Sequence, residues 1–125
     1  MEGYKRIQRG DVFFADLTGS IGSEQNGLRP VLVLQNDIGN QHSPTIIVAP
    51  LTSKAGKSML PTHVKLYGKT GIPHNSTILL EQIRTIDKSR LRGYAYSVDE
   101  PTMARVDKAT AISLGLCRKQ KGATG

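Results

Sequence analysis

Gly22-Ser23-Glu24-Gln25-Asn26-Gly27-Leu28-Arg29-Pro30-Val31-Leu32-Val33-Leu34 is the stretch from which the rest of this chain can be read. It opens as a polar loop, passes through one arginine held in front of a proline, and becomes a continuous apolar run. Gly22 and Gly27 tolerate backbone angles closed to other residues, so the loop can bend sharply and let a ligand approach its main chain. Pro30 fixes its own φ and restricts Arg29 to extended geometry, so the guanidinium leaves the chain at the mouth of a strand. A planar fork of donors that keeps its proton at neutral pH suits a phosphate. Glu24 lies across the loop from Arg29, either as part of a site or as a solvated ion pair of little energetic consequence.

Working outward, residues 11–17 carry Val12, Phe13, Phe14 and Leu17 with acids at positions 11 and 16, a compact strand pattern. The loop over 18–28 is long for a hairpin, and long loops in compact domains are more often functional than accidental. Residues 31–35 form the second strand, and 36–44 read as turn chemistry throughout. The β-branched Ile46, Ile47 and Val48 predict a third strand over 45–51, with Pro50 at a strand end or bulge. Thr52 stands at that strand's end, where its hydroxyl either donates to a phosphate oxygen or satisfies a turn.

Residues 53–62 read as a basic flap containing Lys54 and Lys57, which either meet a polyanion's backbone or are simply solvated. A short strand over 63–66, a loop over 67–76, one or two strands over 77–80 and 82–86, and a helical turn near 87–91 follow. Ser97 or Asp99 caps a last helix, Pro101 suits its first turn, and Met103, Val106, Ala109 or Thr110, Ile112 or Ser113, and Leu116 fall at helical spacing as a core stripe. Residues 118–125 cannot bury anything and are expected to be disordered. The pattern predicts one domain over 1–117, mostly β: a small antiparallel barrel with a C-terminal helix.

The chain has 125 residues, enough to bury a core without disulfides or a structural metal. Lys and Arg number 17 against 10 Asp and Glu, giving +7, which favours a polyanionic partner. The single Cys117 fits a reducing compartment and a packing role. No stretch is apolar enough for a membrane span and the start lacks a signal-peptide layout, so the expectation is a cytoplasmic protein. His42, His63 and His74 match no compact metal-ligand spacing and read as satisfied or solvated side chains; no metal and no cofactor are predicted.

The loop Gly22-Ser23-Glu24-Gln25, then Gly27, then Arg29-Pro30 and an aliphatic strand, resembles the signature loop of the MazF/PemK toxin endoribonucleases. Arg9-Gly10-Asp11-Val12-Phe13-Phe14-Ala15-Asp16-Leu17 precedes it in the family's order, and Gln35-Asn36-Asp37 follows. Ala49-Pro50-Leu51-Thr52 and Leu80-Glu81-Gln82-Ile83-Arg84-Thr85-Ile86-Asp87 complete the set. The resemblance implies a Src-homology-3-like barrel with helical additions, working as a twofold homodimer. It also implies a single-stranded RNA substrate and a cognate antitoxin whose acidic, disordered tail covers the basic groove.

Cleaving RNA without metal needs a proton acceptor, a proton donor and a cation on the phosphate, with the 2′-hydroxyl as nucleophile. By resemblance Arg29 is central to catalysis and Thr52 holds the phosphate. Glu24 is the candidate base, although a carboxylate here can instead read a base edge. Some family members carry a histidine just before the arginine; this chain has Leu28. Substrate contacts are expected from Ser23, Gln25, Ser76, Glu81 and Gln82, from Lys54 and Lys57, and from Phe14 if it faces outward. Two alternatives stand beside the nuclease: a non-catalytic nucleic-acid-binding barrel, and a topoisomerase-poisoning toxin of related fold.

Overall fold

The computed structural model describes residues 5–53, 60–66 and 76–116. Seven strands form one antiparallel sheet: β1 (Asp11–Asp16), β2 (Leu28–Val33), β3 (Thr45–Thr52), β4 (His63–Lys65), β5 (Thr77–Leu79), β6 (Arg84–Asp87) and β7 (Leu91–Ser97). Two helices complete it, α1 (Asp37–His42) and α2 (Glu100–Ser113). The strand order is β4-β5-β3-β2-β1-β7. Strand β3 is shared: one edge takes β2, and the other takes β6 along Thr45 to Val48 and β5 at Leu51 and Thr52. This agrees with the expected mostly-β architecture with helical additions.

Alternation along the strands separates two cores. Val12, Leu32, Ala49, Leu51, Val64, Ile78 and Leu80 face Val106 and Ala109 of α2. Phe13, Ala15, Leu17, Val31, Val33, Ile46, Val48 and Ile86 pack on the other face. Each fully buried Leu, Ile or Val stabilises the fold by roughly 1.5–3 kcal/mol relative to exposure, and both faces of β1–β3 contribute such residues. Asp99 caps α2 by accepting from the Thr102 amide at 3.0 Å, and Pro101 occupies its first turn, as the sequence suggested. Leu116 lies beyond the helix and is exposed, so the stripe ends sooner than its spacing implied.

Three other expectations change. Strand β2 begins at Leu28, not at position 31, because Arg29 and Pro30 already pair with Ala15 and Phe14. Proline is tolerated there because the β2–β3 pairing starts only at Val31, leaving no partner that needs its missing N–H. The turn-like residues 36–44 contain α1, whose N-cap Asn36 accepts from the Gly39 amide at 2.8 Å. Gln35 and Asn40 lock that helix on the sheet through Asn40 Nδ2 to the Gln35 carbonyl at 2.9 Å and Gln35 Nε2 to the Thr45 carbonyl at 3.0 Å. Strand β7 has no counterpart in the sequence reading; it pairs with β1 through irregular register. The helical turn near 87–91 is a 3-10 turn over Lys88–Arg90, and the 82–86 segment resolves into a 3-10 turn over Leu80–Gln82 and strand β6. Lys54, Lys57, His74, Cys117 and the 118–125 tail lie outside the described residues.

Thr77 is fully buried on β5, and its hydroxyl has no hydrogen-bond partner among the described residues. A buried polar atom left unpaired costs about 1–3 kcal/mol. Thr77→Val is therefore expected to leave stability unchanged or raise it by about 1 kcal/mol, measured by urea unfolding. A loss of stability there would show that the hydroxyl is satisfied in solution.

Candidate active site

The strand registers decide which loop residues meet. Val31 pairs with Pro50, where the β2–β3 pairing begins, so Arg29, two residues before Val31, and Thr52, two residues after Pro50, lie toward the same end of the two strands. Arg29 shares its alternation with Val31 and Val33, and Thr52 with Ile46 and Val48, so both stand on the face of the second core, at its end. Phe14 alternates with Phe13 and Ala15 and stands on the opposite face, half-buried, away from them. Arg29 is half-buried, and its Nε donates to the Asn26 carbonyl at 2.9 Å, folding the side chain back over the loop. Among the described residues no ion pair joins Arg29 to Glu24. Thr52 is 7% exposed and closes β3.

The loop between β1 and β2 is held by its own ends and by one outside side chain. The Leu17 amide donates to the Gly27 carbonyl at 2.8 Å, and Gly22 and Gly27 take φ of 61° and 80°, which only glycine adopts without strain. The Asp16 carboxylate accepts from the Thr18 hydroxyl and from the Thr18 amide at 2.9 Å; these bonds, the hydroxyl first, hold its pKa below the usual 3.8. Glu24 Oε1 accepts from the Ile21 amide at 2.9 Å, a local turn that leaves the other carboxylate oxygen outward. Gln82 then clamps the loop, its Oε1 accepting from the Gln25 amide at 3.0 Å and its Nε2 donating to the Ser23 carbonyl at 3.3 Å. Both polar ends of Gln82 are thus used by the protein.

Beside this clamp lies an open cleft of about 430 Å³ lined by Glu24, Glu81, Gln82, Ile83, Arg84 and Thr85. Arg84 Nη1 donates to the Ser20 hydroxyl at 2.7 Å, and that hydroxyl donates to the Leu17 carbonyl at 2.8 Å, tying the cleft's arginine to the base of the loop. Glu81 Oε1 accepts from the Thr62 hydroxyl at 2.9 Å, and its Oε2 lies 3.0 Å from His63 Nε2. His63 is therefore satisfied, one of the two outcomes its sequence allowed. Among the described residues no cluster of three or more His, Cys, Asp or Glu side chains is placed to hold a metal ion. No helix among them is long and apolar enough to cross a membrane.

The structure thus sorts the predicted residues by place. Arg29 and Thr52 lie toward the same end of β2 and β3; Glu24, Glu81 and Gln82 share the cleft, with Ser23 and Gln25 fastened to Gln82. Phe14 is on another face, and Ser76 is 1% exposed with its carbonyl accepting from the Leu66 amide. Lys54 and Lys57 are outside the described residues. Sequence reasoning missed Arg84 as a lining residue, though it stood in the quoted motif, and it missed His63 as the partner of Glu81. The signal for the second was absent, because the two are 18 positions apart.

Residues 8–114 match the family model described as "PemK-like, MazF-like toxin of type II toxin-antitoxin system". The chain is 56% identical over 111 residues to Endoribonuclease EndoA of Bacillus subtilis (strain 168), covering 88% of this chain and 96% of that protein. Among solved structures it is similar to MazF (Form-I) from Deinococcus radiodurans, with TM-score 0.77 and 26% identity over 90% of this chain and 99% of that one. It is similar also to an endoribonuclease in complex with its cognate antitoxin from mycobacterial species, with TM-score 0.75 and 26% identity over 90% and 98% of the two chains.

Gln82→Ala removes both hydrogen bonds that hold residues 23 and 25 while leaving the cores intact. With a net value of about 1 kcal/mol per bond, the Gln25 amide is expected to exchange with solvent roughly five- to tenfold faster, with little change in Tm. Hydrogen exchange read by mass spectrometry checks this. Unchanged exchange would mean that the loop holds its shape without the clamp.

Proposed function

The chain belongs to the PemK-like, MazF-like toxins of type II toxin-antitoxin systems and is an endoribonuclease of that kind; from this premise we propose that it cuts single-stranded RNA at a specific sequence without a metal ion. What supports the reading is that Arg29 and Thr52 lie toward the same end of β2 and β3, on one face of the sheet, next to a clamped loop bearing Glu24. In the proposed reaction the ribose 2′-oxygen attacks the adjacent phosphorus and the bond from phosphorus to the 5′-oxygen breaks. The proton of the 2′-hydroxyl passes to a base, and a proton returns to the departing 5′-oxygen. The products are a 2′,3′-cyclic phosphate and a 5′-hydroxyl.

Arg29 acts chiefly by charge. Among the described residues no carboxylate pairs with it, while Nε is fixed on the Asn26 carbonyl, so the guanidinium is aimed without being neutralised. Arginine holds its proton too tightly to be a good general acid, so charge stabilisation ranks before proton donation. Thr52 supplies a hydrogen bond to a phosphate oxygen. Glu24 is the candidate base: it is exposed, only one of its oxygens is engaged locally, and it faces a cleft that also contains Arg84. Glu81 is the candidate reader of a base edge. Arg84 adds positive charge to the groove along which the strand would lie.

The partners follow the same reading. An acidic, extended antitoxin segment would compete with RNA for the basic surface of a chain of charge +7, and the mycobacterial relative was solved with its cognate antitoxin. A twofold homodimer and action in the cytoplasm, where messenger RNA is found, complete the proposal.

Purified protein is expected to cleave single-stranded RNA in the presence of a chelator, leaving ends that require opening of a cyclic phosphate before ligation. Arg29→Ala should lower cleavage by about 10²–10³-fold, the range for losing a transition-state donor, with far-UV circular dichroism unchanged. Thr52→Val should lower it by at least about tenfold. Cleavage that appears only on addition of a divalent ion would overturn the mechanism and leave the endoribonuclease assignment standing.

A further inference from the structure

We infer that His63 is a positioning residue that fixes Glu81 as the reader of one amino-bearing base of the RNA; this rests on the ribonuclease reading above. The geometry is a short relay from the backbone to the cleft. The Leu60 amide donates to His63 Nδ1 at 3.2 Å, so that nitrogen is an acceptor and the ring's proton sits on Nε2. Nε2 then donates to Glu81 Oε2 at 3.0 Å, while the Thr62 hydroxyl donates to Oε1 at 2.9 Å. The His63 side chain is 9% exposed and that of Glu81 is 33% exposed, so the relay is enclosed and its end is open.

The chemistry of the carboxylate gives the consequence. An ionised carboxylate has about four lone-pair sites and no donor. Two are occupied by His63 and Thr62, one on each oxygen, which fixes the rotation of the group and leaves the remaining sites for the cleft that Glu81 lines with Glu24 and Arg84. Such a group can only accept, and on a base edge the donors are N–H groups. It therefore favours the exocyclic amino group of adenine, cytosine or guanine, and disfavours uracil, whose single N–H is flanked by two carbonyl oxygens. Without His63, the carboxylate would swing freely at the edge of the cleft and lose that directional preference.

The experiment is cleavage of a randomised single-stranded RNA library, with the cut ends sequenced, by the wild-type chain and by His63→Leu, His63→Gln and Glu81→Ala. The expected result is that His63→Leu flattens the preference at one position of the recognised word by about tenfold. Glu81→Ala should flatten the same position, its base should be A, C or G, and the other positions should keep theirs. His63→Gln, whose amide can place a donor where Nε2 stands, should restore most of the preference. A purely structural role would instead lower cleavage evenly and leave the word intact. That outcome, an unchanged word, loss at a position that Glu81→Ala spares, or failure of His63→Gln to restore it would overturn the proposal. If His63→Leu does not fold, Thr62→Val, which removes the other donor to Glu81, is read in the same way at the same position. A wild-type chain that cuts none of the library would overturn the ribonuclease reading itself, whereas a wild-type word that survives these substitutions would overturn only the role of His63.

Discussion

The register of β2 between β1 and β3 is the constraint on which the site depends. Side chains along a strand alternate between faces, so a slip of one residue exchanges everything on one side for everything on the other. Here such a slip would carry Arg29 toward the face where Leu32, Ala49 and Leu51 meet α2, and an unpaired guanidinium in that apolar setting would cost far more than the slip could return. Two cores, one on each face, hold the register from both sides. The placement of Arg29 and Thr52 toward one end of β2 and β3 is therefore a by-product of hydrophobic packing, and the site inherits the rigidity of the sheet without structure of its own.

The loop is a different case, because nothing apolar holds it. Leu28 and Ile21 are exposed, and the loop's shape rests on three positive-φ glycines and on polar contacts: the Leu17 to Gly27 hydrogen bond, Asp16 on Thr18, and the two bonds from Gln82. Each such bond is worth on the order of 1 kcal/mol, so the loop is ordered but easily moved compared with the strands that flank it. Gln82 matters more in this light as a clamp than as a reader of bases, since both ends of its amide are already spoken for.

Much of the sheet could be read from the chain because apolar, β-branched and aromatic residues cluster in short runs at 11–17 and 45–51. The N-cap Asp99 and Pro101 likewise announce α2 in the sequence. What was hidden has physical reasons. Residues 36–44 look like turns because Asn36, Gly39 and Pro44 favour turns locally, yet Asn40 and Gln35 hydrogen-bond each other and turn the segment into a helix that exists only against the sheet. Strand β7 was missed because half its residues face solvent, Arg92, Gly93 and Tyr94 among them, and because its pairing with β1 is irregular. Arg29, Thr52 and Glu24 were legible as a set only by resemblance; their juxtaposition depends on a register that no local pattern expresses.

The cleft shows how unlike charges can share one site without cancelling. Glu24 and Glu81 line it with Arg84, yet Glu24 takes its hydrogen bond from the Ile21 amide, Glu81 takes its own from Thr62 and His63, and Arg84 donates to Ser20. Each ionic group is oriented by a neutral partner, and among the described residues no arginine of the site is joined to either carboxylate. Had Arg29 or Arg84 formed a bidentate pair with Glu24, an incoming anion would have to displace a carboxylate, and the carboxylate would be bound to a cation that lowers its affinity for a proton. Holding the charges by amides and hydroxyls keeps the arginines and the carboxylates from pairing with one another, which is what the proposed chemistry requires of them. Preorganisation of this kind contributes most to the rate when charge develops during the reaction, because little reorganisation of the site is then required.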